Sequence, residues 1–450
     1  MSTRASQFLH RLGLDRPEAR AWALYDWATT AFFTTIVAAV FPIYYSTVAA
    51  ADLPAPVAAT RFALTTTVAM AIVAALAPLL GALADYCGIN KRMLAASMGL
   101  GVIATGCMVF IRPGDWLLAS FLFGAANIGA SFAFVFYDSL LVHITSSGKE
   151  MDRISTTGYA VGYLGGGLLL GLNLAWISYP RLFGMADAAA AARLCFFSVA
   201  IWWLAFSIPL LRCVAEPPAR RGAGDASGLG PLRAARHRLL RTFHDLRAYK
   251  QAFMFLLAFL IYNDGIGTII RMAALYGTQI GLPPGALIGA ILLVQFVGVP
   301  FAVLFGSIAS RVGVKRAIFL SLAVYLVISI VAFFMKTALH FYLLAGLVAT
   351  VQGGSQALSR SLFARLVPRS RSAEFFAFFS MCEKVAGILG PGVFAAVTSL
   401  TGSSRGAILS LIVFFLVGGL LVAAVDVTEG QRVAREAEVS RGDNGQPHST

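Results

Sequence analysis

Long apolar runs recur along the whole sequence, and they limit what this chain can fold into more than any other feature does. Of the 450 residues, 58% are hydrophobic and 12% are charged. A soluble domain carries about 25% charged residues, and an apolar run of about 20 residues can cross a bilayer as a helix. We therefore predict an all-α integral membrane protein. Its twelve transmembrane helices are predicted at residues 21–48, 62–86, 93–111, 116–142, 154–178, 191–211, 251–278, 285–309, 317–335, 340–364, 374–400 and 404–425.

The basic residues of the loops indicate how these helices are oriented. The chain has 35 Lys and Arg residues, and most of them fall in loops on the side that also holds both chain ends. Cytoplasmic loops are enriched in Lys and Arg, so both termini are predicted to be cytoplasmic. The net charge of +14 follows from this topology, and no nucleic-acid partner is expected.

The predicted helices group into two six-helix bundles. Residues 21–212 form the first bundle and residues 251–425 the second. Residues 213–250 are predicted to be a cytoplasmic linker that ends in a basic amphipathic helix, with a plain solvated connector as the alternative. Residues 1–20 are predicted to be a cytoplasmic N-terminal segment, and residues 426–450 a disordered cytoplasmic tail.

A short motif occurs once in each bundle. The loop after the second helix reads GALADYCGINKR, from Gly81 to Arg92, and the loop after the eighth reads GSIASRVGVKRA, from Gly306 to Ala317. The two copies align without gaps, so that glycines and basic residues coincide. Repeats in corresponding positions indicate pseudo-symmetric halves, with a substrate site near the membrane midplane between them.

The repeated loop resembles the signature loop of the major facilitator superfamily. Three segments narrow the resemblance: WALYDWATTAF at 22–32, YNDG at 262–265, and GGSQALSRSLFARLVP followed by AEFFAFF at 353–379. Together they resemble the branch of vacuolar amino-acid effluxers and their bacterial relatives, also called the unknown major facilitators. The resemblance covers all twelve helices and implies the major facilitator fold and transport by alternating access. The second loop departs from the pattern, because Ser310 stands where the first has Asp85.

Asp264 is the strongest candidate for a residue at the transport site. It lies about 13 residues into the seventh helix, roughly 20 Å from its end, and Arg271 follows on the same face two turns further on. Buried charges in a membrane are costly and need partners. Two interpretations are open for this pair, a structural ion pair and the handling of substrate or protons. Asp26 lies within the first helix, and proton coupling through Asp26 or Asp264 is a hypothesis.

Other polar residues of the membrane helices are candidates for the same cavity. Glu383 and Lys384 are adjacent on the eleventh helix and point about 100° apart, so we expect one of them to face the cavity. In the superfamily the first, fourth, seventh and tenth helices line the cavity, and here each of those helices carries polar groups. By this resemblance the further cavity residues are Tyr25, Asn127, Asn263, Gln352 and Gln356.

The inner ends of the helices carry the expected gate. By the family resemblance, Asp85, Lys91 and Arg92 of the first signature loop form part of a cytoplasmic gate, and Gly88 allows a tight turn there. Asp138 lies near the inner end of the fourth helix, and it is interpreted either as a gate residue or as a cap of the following loop.

Two further features have mainly structural interpretations. The small residues of GYAVGYLGGGLLLG, at 158–171, predict close helix packing. Arg360 lies near the inner surface, where we expect it to contact lipid headgroups or the gate.

These observations predict a secondary active transporter of a small polar solute, and the family resemblance implies an amino acid or related metabolite and the direction of efflux. The expected partners are the lipid bilayer, the substrate and protons, and the protein is expected to be a monomer. The expected location is a bacterial cytoplasmic (inner) membrane, which the chain crosses many times. A multidrug-type exporter and a non-transporting receptor or scaffold with the same fold are the alternatives.

Sequence motifs for other chemistries are missing. The chain has no Walker motif and no HExxH motif, and its five cysteines are scattered without a CxxC pair. No cofactor, no metal and no enzymatic activity are therefore expected.

Overall fold

The protein is almost entirely helical. The computed structural model describes residues 9–219 apart from residue 11, residues 249–279, 284–386 and 404–442, and residues 390, 393, 396, 397 and 400. Within these ranges the regular structure is helical and no β-strand occurs. Ten of the helices are long and apolar enough to cross a membrane, which confirms the prediction of an all-α integral membrane protein. The predicted amphipathic part of the linker lies outside the described residues.

The helices of the first half follow the predicted spans. The first, α1, runs over Pro17–Ala49 and contains a π-helical stretch, Phe32–Val40. The π-helical stretch ends two residues before Pro42, which has no N–H to continue the ordinary i→i−4 hydrogen bonds. The other helices are α2 (Ala55–Cys87), α3 (Asn90–Cys107), α4 (Trp116–Ile144), α5 (Gly148–Ser178) and α6 (Ala188–Cys213).

The second half repeats this series. The tenth helix of the chain has 29 residues. At 1.5 Å per residue it is about 43 Å long, which is enough to cross a bilayer, but it is too polar to be one of the ten apolar helices counted above. Of the predicted eleventh span, the residues after Ala386 lie mostly outside the described part. The helices are α7 (Lys250–Gln279), α8 (Pro284–Val312), α9 (Val314–Phe333), α10 (Ala338–Leu366), α11 (Ser372–Val385) and α12 (Ser404–Ser410 with Ile412–Ala424).

The chain divides into two compact units whose borders differ from those of the predicted bundles. Unit 1 comprises residues 1–73, 92–134 and 157–215, and unit 2 comprises residues 74–91, 135–156 and 216–450. Unit 2 thus contains the ends of α2, α4 and α5 that are predicted to be cytoplasmic, together with the second half of the chain. The polar contacts described below explain this grouping, because they join these helix ends to α10 and α11.

Each unit is held together by helix packing of its own. In unit 1, α1 packs against α6, and the rings of Trp27 and Trp202 stack with 5.4 Å between their centroids. The indole N–H of Trp202 also donates to the Trp27 carbonyl at 3.2 Å. In unit 2, α8 and α9 pack against α10, and α7 packs against α12.

A thirteenth helix, α13, covers Val427–Gly442, so the predicted disorder of residues 426–450 is wrong for this stretch. Asp426 caps the helix, because its Oδ1 accepts a hydrogen bond from the Glu429 backbone N–H at 3.0 Å. Arg432 forms ion pairs with Glu429 and Glu436, which are spaced to stabilise a helix. The helix also packs against α7 and α10. The polar composition suggested disorder, whereas capping and ion pairs favour a helix.

Candidate functional site

Arg360 of α10 is at the centre of a polar cluster in unit 2. Its side chain is 2% exposed, and its Nη1 lies 3.1 Å from Oδ1 of Asp138 on α4. Its Nε donates to the Ser155 hydroxyl at 2.9 Å, and its Nη2 donates to the Ser155 carbonyl at 3.2 Å. A buried charge is tolerated when it is both paired and hydrogen-bonded, and Arg360 meets both conditions. The structure therefore places Arg360 with the predicted gate residue Asp138.

A second buried pair lies one turn further along α10. Arg365 forms an ion pair with Asp152 of α5, and the Ser361 hydroxyl donates to the other carboxylate oxygen of Asp152. Arg365 also donates to the Gly148 carbonyl at 2.5 Å. Asp152 is 2% exposed, so its charge is neutralised by groups from α10. The two pairs together join the first turns of α5 and the end of α4 to α10.

Asp85 of the first signature loop joins α2 to α11. Its carboxylate is buried and accepts hydrogen bonds from the Asn90 side chain at 3.0 Å and from the Glu374 backbone N–H at 2.9 Å. Glu374 lies in the first turn of α11, where a negative charge interacts favourably with the helix dipole. Glu374 in turn accepts two hydrogen bonds, at 2.8 and 2.9 Å, from the Arg371 guanidinium.

The rest of the signature loop serves the turn between α2 and α3. Gly88 has a φ of +63°, a conformation that favours glycine, and a Cβ there would collide with the backbone of Ala219. The Lys91 backbone N–H donates to the Glu216 carboxylate at 2.5 Å, which caps the start of α3. The Arg92 side chain is exposed. Of the five predicted gate residues, Asp85 and Asp138 therefore form buried contacts, and the other three lie at the turn.

The first glycines of the two repeated loops are points of close helix approach. A Cβ on Gly81 would lie 2.5 Å from the Ala373 carbonyl oxygen at the start of α11. A Cβ on Gly306 of α8 would collide with the Thr156 hydroxyl of α5. The repeat found in the sequence thus corresponds to a repeated contact, α2 with α11 and α8 with α5.

Two of the family segments meet in unit 2. The Gln356 side-chain amide of α10 donates to Oδ1 of Asn263 on α7 at 2.6 Å. One residue before Asn263, the Tyr262 hydroxyl lies 2.6 Å from the hydroxyl of Ser359. The YNDG and GGSQALSRS segments therefore face each other, and Gln352 lies half-buried one turn before Gln356 on the same helix.

Asp264, the next residue of α7, is fully buried. Its Oδ2 accepts a hydrogen bond from the Gly390 backbone N–H at 2.6 Å. A Cβ on Gly390 would lie 3.0 Å from the Asp264 carbonyl oxygen and would collide with the Thr268 hydroxyl, so glycine is needed for this approach. The side chains of Arg271 and Lys384 lie outside the described part, and Glu383 is exposed.

The predicted cavity residues of the first half lie in unit 1. Asp26 is 4% exposed and Tyr25 is fully buried. A Cβ on Gly158 of α5 would lie 2.5 Å from Oδ2 of Asp26, and one on Gly162 would lie 3.2 Å from the Asp26 carbonyl oxygen. This agrees with the interpretation of residues 158–171 as a packing surface. Asn127 is buried, and its side-chain N–H donates to the carbonyl of Phe123 on its own helix at 2.9 Å.

Sequence reasoning missed part of the cluster around α10. The residues Asp152, Ser155, Ser361, Arg365, Arg371 and Glu374 were not among the predicted site residues. Their signal was an excess of charge at the ends of apolar helices: two arginines five residues apart on α10, and a carboxylate in the first turns of α5 and of α11. Charged residues near helix ends are often exposed to solvent, so only the structure shows that these residues are buried. In the described part, no group of three or more His, Cys, Asp or Glu residues could hold a metal ion.

The arrangement of helices is that of the major facilitator superfamily. The chain is similar to the proton:xylose symporter XylE, with a TM-score of 0.68 and 14% identity over 96% of this chain and 99% of that one. It is also similar to the fucose:proton symporter FucP of E. coli, with a TM-score of 0.64 and 12% identity over 91% and 98% of the two chains. The chain thus has the major facilitator fold.

Sequence comparison identifies the family within that class. Residues 55–152 and 142–435 match the family described as "Vacuole effluxer Atg22 like", and the chain belongs to this family. It is 36% identical to the MFS-type transporter YxiO of Bacillus subtilis over 410 residues, which are 91% of this chain and 94% of that protein. It is 26% identical over 306 residues to Autophagy-related protein 22-1 of Aspergillus niger, and it matches 49% of that longer protein's length. The family predicted from the three sequence segments is confirmed.

Proposed function

We propose that this transporter is a secondary active exporter of a small polar solute of the amino-acid class, and that it works by alternating access. The observation that carries the proposal is the set of buried ion pairs that joins the ends of α4 and α5 to α10. These helices come from the two halves of the sequence, and alternating access requires contacts between the halves to break and re-form. Polar groups suit such contacts, because water can hydrate each of them when the contact opens.

The contact between α7 and α10 supports the choice of a polar substrate. Asn263, Gln356 and the Tyr262 hydroxyl supply hydrogen-bonding groups inside the apolar part of the unit, where an unsatisfied polar group is costly. The Asp264 carboxylate would pair with the ammonium group of an amino-acid substrate, and Arg271 is the candidate to bind the carboxylate of the same substrate. A hydrophobic-drug exporter, the alternative, would instead use an aromatic and sparsely charged cavity.

The proposal has three further parts. Asp264 and Asp26 are carboxylates buried in the helices, and one of them is the proposed proton-coupling group. The location is the cytoplasmic membrane of a bacterium, in line with the Bacillus subtilis relative. We expect a monomer with both termini in the cytoplasm.

The experiment begins with a thermal-shift screen of the purified protein against amino acids and small metabolites, because a ligand that binds the native state raises its melting temperature. The best ligand is then used, radiolabelled, in proteoliposomes with and without an imposed pH gradient. We expect saturable transport that the gradient accelerates. Asp264→Asn should abolish this acceleration, and Asp52→Asn, the same change at an exposed position of the loop between α1 and α2, should leave it intact.

Three outcomes would each contradict a part of the proposal. If the Asp264→Asn variant responds to the pH gradient as the wild type does, Asp264 is not the coupling group. If a ligand stabilises the protein but never crosses the sealed membrane, the protein is a receptor or scaffold with a transporter fold. Transport of hydrophobic cations in place of amino acids would favour the multidrug-type alternative.

A further inference from the structure

A pocket of about 280 Å³ lies in unit 2, at the ends of the helices that carry the buried ion pairs. Three parts of the chain line it. These are the turn between α4 and α5 with the first residue of α5 (residues 145–148), the end of α10 with the residues that follow it (364–369) and one face of α13. The proposed transport function uses one lining residue, Arg365, as part of an ion pair, and it assigns no role to the pocket itself.

The lining is rich in guanidinium groups. Arg365, Arg369 and Arg435 all line the pocket, and they come from α10, from the stretch after it and from α13. The one carboxylate in the lining is Glu438, whose Oε1 accepts a hydrogen bond from the Ser370 backbone N–H at 2.8 Å. Arg365 is paired with Asp152, so the lining carries a net positive charge through Arg369 and Arg435.

Several guanidinium N–H groups at this pocket are available to bind an anion. Nε of Arg365 is buried and has no hydrogen-bond partner among the described residues. Arg369 donates to the carbonyl of Thr145, a neutral acceptor that leaves its charge uncompensated. The exposed Arg435 forms no ion pair within the described ranges.

The start of α5 adds to the positive potential. Gly148 is the first residue of this helix and lines the pocket, and the N-terminal end of a helix carries a partial positive charge. A Cβ on Gly148 would lie 2.7 Å from the Arg365 guanidinium carbon, so that guanidinium lies against the helix end. Ser147 and Glu150 satisfy part of the first turn, since the Glu150 backbone N–H donates to the Ser147 hydroxyl at 3.2 Å. Asp152 compensates the charge of this guanidinium, while its Nε still has no acceptor among the described residues.

We propose that this pocket binds a phosphate group, either of a lipid headgroup or of a free phosphate. The planar guanidinium fork matches the oxygens of phosphate in a bidentate way, and three such groups converge here with a helix N-terminus. A bound phosphate would join the α4–α5 loop, which belongs to the first half of the sequence, to α13 at its end. The site would therefore couple the presence of phosphate to the stability of the closed contacts around α10.

The test uses the full-length protein and compares two sources of phosphate. Thermal unfolding is measured in detergent with sodium phosphate, against sodium chloride at equal ionic strength. It is measured again in phosphatidylcholine nanodiscs that contain an increasing fraction of phosphatidylglycerol, whose headgroup phosphate is not balanced by a cation. The variants are Arg435→Gln and the double variant Arg369→Gln/Arg435→Gln. The matched control is Arg432→Gln, which removes an arginine from another position of α13 that does not line the pocket.

The expected result is a saturable rise of the melting temperature for the wild type and for Arg432→Gln. Saturation by sodium phosphate identifies a free phosphate as the ligand, and a rise confined to nanodiscs that contain phosphatidylglycerol identifies a lipid headgroup. Arg435→Gln should weaken the apparent affinity about tenfold, which corresponds to about 1.4 kcal/mol, and the double variant should abolish the rise. The proposal is overturned if neither source gives a saturable rise, or if the double variant responds as the wild type does.

Discussion

The Arg360 guanidinium is 2% exposed. Removing a charge from water costs several kcal/mol, so this guanidinium needs an opposite charge and hydrogen-bond acceptors next to it. Here Asp138 supplies the opposite charge and Ser155 accepts two further hydrogen bonds. The net stabilisation from such a pair is small, since desolvation offsets most of the attraction. Its polar character therefore fits a contact that must open better than it fits a permanent one.

Single and double substitutions of the Arg360–Asp138 pair are predicted to have different effects. Asp138→Leu alone should destabilise the protein by about 3–5 kcal/mol, because it leaves the Arg360 charge buried and unpaired. Asp138→Leu with Arg360→Met should recover most of the melting temperature and still transport poorly, since an apolar contact cannot be hydrated when it opens. Melting temperature and proteoliposome transport are both measured. A double variant that transports at the wild-type rate would show that the pair is not part of a gate.

At the scale of the helices, close approach depends on a few glycines. Gly306→Ala should destabilise the contact between α8 and α5 by about 1–3 kcal/mol, the usual effect of overpacking, because its Cβ would collide with the Thr156 hydroxyl. Gly346→Ala is the matched control, since a Cβ on this glycine of α10 has no neighbour within 4 Å among the described residues. Thermal unfolding of both variants is compared with that of the wild type. Equal melting temperatures for the two variants would contradict the prediction.

The helices themselves were predictable from the sequence, and their partners were not. An apolar run fixes the length and the position of a helix by local composition, and the predicted bounds of α4 and α9 differ from the observed ones by a few residues. The pairs of Arg360 with Asp138 and of Arg365 with Asp152 join residues more than 200 positions apart. Several Asp and Glu residues have similar sequence surroundings near helix ends, and only the packing of the helices decides which of them pairs with a given arginine.

For the whole molecule, the distribution of basic residues predicts both ends of the chain on the cytoplasmic side. A green fluorescent protein fused after Gly442 should therefore fluoresce in bacterial cells. Alkaline phosphatase fused after Arg181, in the turn between α5 and α6, should be active because it reaches the periplasm. The opposite pattern would invert the topology, and the buried pairs around α10 would then form an outer contact.

The paired contacts of Gly81 and Gly306 have a consequence for the origin of the molecule. One glycine brings α2 against α11, and the other brings α8 against α5. Adding six to each helix number, and counting on from α12 to α1, converts each of these pairs into the other. The repeat therefore relates the surface between the sequence halves to itself. Self-complementary surfaces of this kind are those of twofold-symmetric dimers. A six-helix ancestor could thus have paired with its own copy before gene duplication and fusion, and the two halves expressed as separate chains are expected to reassemble through the same surface.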